Sequence, residues 1–419
     1  MNTNAGMRAL YCTMAVIALA AISRAQTPSY RVLYNFTNGK DGSFPSGPPA
    51  LDDKGNLYGG TLTGGDGVGS CGSSGCGVVF ELVLGANGQW SETALYEFAG
   101  RSDGALPTGS LILDSAGNVY GALHGDSGAA VSGVFELTPG TQGWSNTVIY
   151  GPGGCCLALD KLGNLYGEFG QGNGAGALGE LVHGSQGWTL DNLYNFCNLH
   201  TCPKGDDPVA SLTWDAVGNL YGTTLYGGIG GPPNCPGSLG CGVAFQMSPN
   251  GNGTWAYHVL HRFAAFAYDG RYPYAGLVTD AAGNAYGAAS GGGPHGGGTI
   301  YKLTPVSGGL WKQTVLYDFP NCANGCGPNT SLVFDQAGNL YGTAGGGLTV
   351  CGGGGYYCGV VFKLTPQAGG AWKYSLLHKF NNAGGNAGNG VIVDGKGNLF
   401  GTTFIGGTYN AGVAFEITQ

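Results

Sequence analysis

The chain has 419 residues, of which 86 are Gly and 19 are Pro, yet Gly shows no three-residue period, and 42% of residues are hydrophobic and 11% aromatic. That apolar content excludes a collagen and a solvated low-complexity tail. Only 10% of residues are charged, the net charge is −8 and no basic stripe is present, which excludes a nucleic-acid partner and leaves Gly, Asn, Ser and Thr to cover the surface.

At the N-terminus, Arg8 precedes the mostly apolar run Ala9 to Ile22, and Ser23-Arg24-Ala25 follows. A basic residue, a short apolar segment and a small-x-small site form a secretory signal. Residues 1–25 are therefore expected to be removed, leaving 26–419 as a single domain. No later run reads as a membrane span. The last residues, Gly412 to Gln419, read as a strand, so no C-terminal anchor is expected. The expected location is secreted, periplasmic or at the cell surface.

The chain then repeats. Asp-x-x-Gly-Asn followed by an apolar residue, an aromatic residue and Gly occurs seven times, its Asn at 56, 118, 164, 219, 284, 339 and 398. Before each Asp lies a short apolar strand, here called a, such as Ser110 to Leu113. The Asp-x-x-Gly-Asn is a tight reversal, because Asp bonds turn amides and Gly supplies positive φ. Strand b starts at the Asn. Strand c is a Val-Phe-x-Leu segment, as in Gly77 to Leu82. Strand d opens on Trp and ends near Leu-Tyr-x-Phe; six of the seven tryptophans sit there, and Trp214 does not. Four short strands per unit, seven units and no helical period predict an all-β, seven-bladed β-propeller. Tyr30 to Phe36 is an isolated d-type strand, and the last unit stops after c. The first strand is expected to complete the last blade and remove a free sheet edge.

The tandem Asp-x-x-Gly-Asn-Leu-Tyr-Gly-Thr-Thr, Gly-Gly, Gly-Val-Val-Phe-x-Leu and Leu-Tyr-x-Phe pattern resembles the bacterial GloVer repeat of "choice-of-anchor" exported proteins. It covers residues 30–419 and is clearest at Asp215 to Gly228 and Asp394 to Gly407. The resemblance implies an exported, propeller-like array and carries over no catalytic residue.

The repeat positions read as structural. The seven aspartates cap turns, and the b-strand aromatics pack between blades against the Trp positions. The Gly after each aromatic lets a neighbouring ring lie on the backbone. Twelve cysteines remain after the signal, in close pairs, which in an exported protein indicates disulfides. The expected links are Cys71–Cys76, Cys197–Cys202, Cys235–Cys241, Cys322–Cys326 and Cys351–Cys358. Adjacent Cys155 and Cys156 are left open: bonded together, bonded elsewhere or reduced. Zinc is disfavoured because Cys322-x-x-x-Cys326 lacks a second pair at finger spacing. No metal or cofactor is expected.

In an up-and-down blade the b–c and d–a loops share one face, and all five staples fall there. Function is expected on that face, where blades differ. Its candidate ligand residues are His124, Asp126, Glu168, His200, Asp206, Asp207, His295, Tyr356 and Tyr357. No G-x-S-x-G, H-E-x-x-H or evident glycosidase carboxylate pair occurs. The expected function is a binding module for an extracellular glycan, cell-wall component or protein, with the protein a monomer. The alternative is a polysaccharide-active lyase or hydrolase at the propeller mouth, with His124 and Glu168 as base and acid.

Overall fold

A computed structural model describes residues 27–66, 69–125, 131–170, 176–196, 202–228, 235, 240–264, 268–351 except 347–349, 356–381, 385 and 388–419, without the side chains of 350, 351, 356 and 357. The signal segment, Asp126, Cys197 and His200 lie outside these residues.

Seven four-stranded antiparallel units form a ring. Blade two shows the unit in full: a at Pro107–Leu113, b at Val119–Leu123, c at Gly133–Gly140 and d at Gly143–Tyr150. Strand a is short elsewhere, as at Thr213–Trp214, and blade one splits it into Ser43–Pro45 and Ala50–Leu51, both paired with b. The expected closure is present. Ser29–Asn35 pairs antiparallel with Val413–Thr418, from Ser29 opposite Thr418 to Asn35 opposite Val413, and Phe36 N donates to Gly412 O. The first strand is thus strand d of blade seven.

The repeat aspartates cap the a–b turns as expected. Asp215 Oδ1 accepts the Val217 and Asn219 amides at 2.9 Å, while Oδ2 accepts Asn219 Nδ2 at 2.7 Å and the Tyr221 hydroxyl at 3.1 Å. Burial alone would raise the carboxyl pKa, but these donors outweigh it and hold it below the ordinary value; Asp280 and Asp335 are held down in the same way. A second aspartate, in the d–a loops, was not read from the sequence. Asp41 accepts Thr37 N and Tyr34 OH, and Asp103 accepts Ala99 N and Tyr96 OH.

Two glycine positions explain how the blades close up. A Cβ on Gly59, Gly222 or Gly401 would overlap the strand-c ring of Phe80, Phe245 or Phe415. These fully buried rings lie on the b strand of their own blade. Gly77, Gly242 and Gly412, which open strand c, have φ near +95 to +101° and abut the proline of the following blade, Pro107, Pro273 or Pro45. Aromatic pairs then cross the seams: Phe400–Trp90, Tyr120–Trp188, Tyr166–Trp255, Tyr221–Trp311 and Tyr286–Trp372. The repeat aromatics therefore pack between blades and do not form a free stacking ring.

Disulfides join Cys71 to Cys76, Cys235 to Cys241 and Cys322 to Cys326, as expected, and Cys155 to Cys156. Cys202 and Cys358 are also disulfide-bonded. Their expected partners, Cys197 and the Cys351 side chain, lie outside what is described. Several disulfides indicate an oxidising environment. Among the described residues no helix is long and apolar enough to cross a membrane.

Candidate functional site at the inner rim of blades two to four

The d–a loops run inward to strand a and meet around the ring axis. Ser46 Oγ donates to Pro107 O, Thr223 Oγ1 to Pro273 O and Ala275 O, and Thr402 Oγ1 to Gly47 O. The residue before the loop proline has positive φ at Phe44, Leu106, Asp207 and Tyr272. Such a conformation is costly for a residue with a side chain. It is held by pairing on both sides: Leu106 N donates to Cys76 O and Tyr272 N to Cys241 O, while Asp207 O accepts Leu225 N. The side chain at this position differs in each blade.

In blades three and four, unlike groups converge there. Glu168 ends strand b of blade three (Leu165–Glu168), and Asp207 lies in the loop leading to blade four. A Cβ on Gly176 would meet both Glu168 Oε1 and Pro208. Burial, and next the charge of Asp207, push the Glu168 carboxyl up to about 7, against a pull down from the Ala177 amide. Burial also raises Asp207. Neither carboxylate has a Lys or Arg ion pair among the described residues. Tyr274 is exposed beside them. Burial raises its hydroxyl first, and Tyr226, Asp207 and Tyr272 raise it further. Tyr226 and Tyr272 meet edge to face at 6.1 Å, and Arg271 lies over the Tyr272 ring. Two half-buried acids beside a wall of tyrosines can accept hydroxyl donors and stack a flat ring.

The other candidate residues do not all join this cluster. His124 is exposed on blade two, and its ring Nδ1 meets Gly125 O of its own turn. Asp206 belongs to the cluster through its backbone bridge to Tyr226. His295 pairs with Asp318 within blade five. Tyr356–Tyr357 forms a ribbon with Val350–Cys351 in blade six, and its side chains are not described. Asp126 and His200 lie outside the described residues. The sequence reading missed Tyr226, Tyr272 and Tyr274, for which Tyr272-Pro273-Tyr274, aligned with Asp207-Pro208, was the available signal. It also missed the position of Cys155–Cys156, which lines a cavity of about 220 Å3 with Gly109, Ser110, Val209 and Ser211.

A second concavity, about 580 Å3, opens on the opposite face between the a–b turns of blades three and four. Tyr166, Trp214 and Trp255 line it, with Tyr166–Trp214 centroids 4.8 Å apart, and exposed Leu162 and Val217 at its edge. Its aspartates, Asp160 and Asp215, are already engaged by their own turns. Among the described residues no three His, Cys, Asp or Glu side chains converge as a metal site.

Residues 231–419 match the Gloeobacter/Verrucomicrobia repeat. No curated protein matches the sequence. Among solved structures, an ancestral GH74 enzyme superposes with a TM-score of 0.54 at 11% identity, covering 90% of this chain and 48% of that one. A protein of unknown function from Dyadobacter fermentans superposes with a TM-score of 0.42 at 10% identity, covering 93% and 97%. At such identities the likeness concerns the fold alone. The chain is a seven-bladed β-propeller whose residues 231–419 match the Gloeobacter/Verrucomicrobia repeat.

Proposed function

We propose that the protein is an exported binding module for an extracellular glycan, cell-wall component or protein, released after Ala25, whose ligand docks at the inner rim of blades three and four. The observation that carries this reading is the grouping of Glu168 and Asp207, which make no ion pair with Lys or Arg among the described residues, with Tyr226, Tyr272 and Tyr274. Acceptors for hydroxyl groups beside aromatic faces suit a hydroxylated ring. Immobilised cell-wall and plant polysaccharides should retain the protein, and retention should fall with Glu168→Gln or Tyr274→Ala. Unchanged retention in both variants would remove the rim from consideration.

One observation favours the enzymatic reading as well. A carboxyl raised to about 7 beside a second acid is suited to give up a proton near neutral pH. Release of new reducing or unsaturated chain ends in the same screen, lost in Glu168→Gln, would select a polysaccharide hydrolase or lyase over a binder.

A further inference from the structure

Each blade carries a dipeptide five and four residues before its turn Asp. These are Gly47-Pro48, Gly109-Ser110, Ala210-Ser211, Ala275-Gly276, Thr330-Ser331 and Asn389-Gly390, and in blade three Cys155-Cys156. Packing near the axis explains the small residues: a Cβ on Gly47 would overlap the Gly109 backbone, and one on Gly276 the Ser211 carbonyl. Blade three alone places sulfur there, as a disulfide between neighbours. A bridge between adjacent residues closes no loop, so the chain-entropy gain that justifies the other staples does not apply to it. Its surroundings also differ. Cys76, Cys202, Cys235, Cys241 and Cys358 are at most 1% exposed; Cys155 and Cys156, like Cys71, Cys322 and Cys326, are partly exposed, and unlike them line the 220 Å3 cavity. Cys155 Sγ lies 3.7 Å from Glu168 Oε2.

We propose that Cys155–Cys156 is a redox-active disulfide that exchanges with a small-molecule thiol entering this cavity, with Glu168 supplying the proton to Cys155. The thiolate RS⁻ attacks Cys156 Sγ, the Sγ–Sγ bond breaks, and its electron pair leaves on Cys155 Sγ, which takes the Glu168 proton. A second RS⁻ attacks the sulfur of the bound R group, forms RSSR and releases Cys156 as a thiolate that water protonates. Two thiols are oxidised, the protein gains two electrons and two protons, and Glu168 is reprotonated from solvent. The groups facing Glu168 are Cys155 from strand a, Asp207 from the next blade and the Ala177 amide from strand c. The inference is independent of what the rim binds.

The test is stepwise reduction of the native protein with 2-mercaptoethanol, acid quench, alkylation and peptide mass spectrometry. Cys155 and Cys156 should become labelled at about tenfold less reductant than Cys322 and Cys326, the partly exposed staple of blade six. At pH 6, Glu168→Gln should slow this labelling about tenfold, and the gap should close at pH 8.5, where the carboxyl has lost its proton. Cys155→Ser/Cys156→Ser should keep the wild-type melting temperature. Opening of Cys322–Cys326 first, equal rates for Glu168→Gln at pH 6, or a large loss of melting temperature in the double variant would each overturn the proposal.

Discussion

Tyr30 and His378 stack face to face, their ring centroids 4.0 Å apart and their planes 9° from parallel. Tyr30 lies six residues before Phe36 in the first strand, and His378 two before Phe380 in strand d of blade six. The same positions stack as Tyr257 on Tyr194 between blades three and four, and as Tyr374 on Tyr317 between blades five and six. The N-terminal strand therefore enters the ring with the packing that joins ordinary blades, although 348 residues separate the stacked pair along the chain.

Removing residues 26–36 should give insoluble or strongly destabilised protein, because it exposes the Val413–Thr418 edge and uncovers Phe415 and Phe380. A finer test is a double-mutant cycle with Tyr30→Ala and His378→Ala, with an expected coupling of about 1 kcal/mol in chemical denaturation. A monomeric truncated protein with full thermal stability would refute closure.

Burial against Tyr30 lowers the His378 pKa to about 4. Between about 4 and about 6.5 the unfolded chain holds a proton there that the folded one does not, so this contribution to stability is lost as pH falls through that window. Glu92 and Glu168 act with opposite sign. Burial raises each to about 7, so the folded chain holds the extra proton and their contribution falls as pH rises from about 4.3 to 7. Melting curves from pH 4 to 8 should show His378→Gln gaining relative stability at the acid end. Glu168→Gln should gain at the alkaline end. Parallel curves for both variants and wild type would contradict the burial argument.

Asp215→Ala should cost about 1–3 kcal/mol, because it leaves two turn amides, an Asn amide and the Tyr221 hydroxyl without their acceptor. Asp114→Ala and Asp160→Ala should likewise lower stability and leave ligand retention per folded molecule unchanged. At the rim the pattern should reverse: Glu168→Gln and Asp207→Asn should weaken binding without lowering the melting temperature. Binding lost through Asp114 or Asp160 while the fold survives would move the site to the opposite face.

Trp214→Leu separates the two faces directly. Leu occupies the corresponding position in the first three blades as Leu51, Leu113 and Leu159. The variant should fold, with a loss of about 1–3 kcal/mol for the ring contacts it removes, and should bind as wild type does if the rim is the site. A loss of retention would instead assign the ligand to the groove of Tyr166, Trp214 and Trp255.

The fold was legible because its rules act within a blade. Asp-x-x-Gly-Asn turns, the period-two strands and the Gly beneath each strand-c Phe are set by contacts between residues close in sequence, and sevenfold repetition made the pattern plain. Closure was legible for a related reason: an unpaired d strand at one end and a missing d strand at the other leave one way to satisfy both edges. The staples at Cys71–Cys76, Cys235–Cys241 and Cys322–Cys326 followed from short spacing alone. The candidate rim was only partly legible. Its face, and Glu168, Asp206 and Asp207, could be chosen because they break the repeat. Whether Glu168 meets Asp207, whether Tyr274 stands beside them, and whether Cys155–Cys156 faces a cavity depend on the angle between neighbouring blades. His295 broke the repeat equally well and pairs within blade five. Hydrogen-bonded turns and alternating faces are written into each repeat, but the packing of one blade on the next is fixed by side chains tens of residues apart, and only the tertiary structure brings those side chains together.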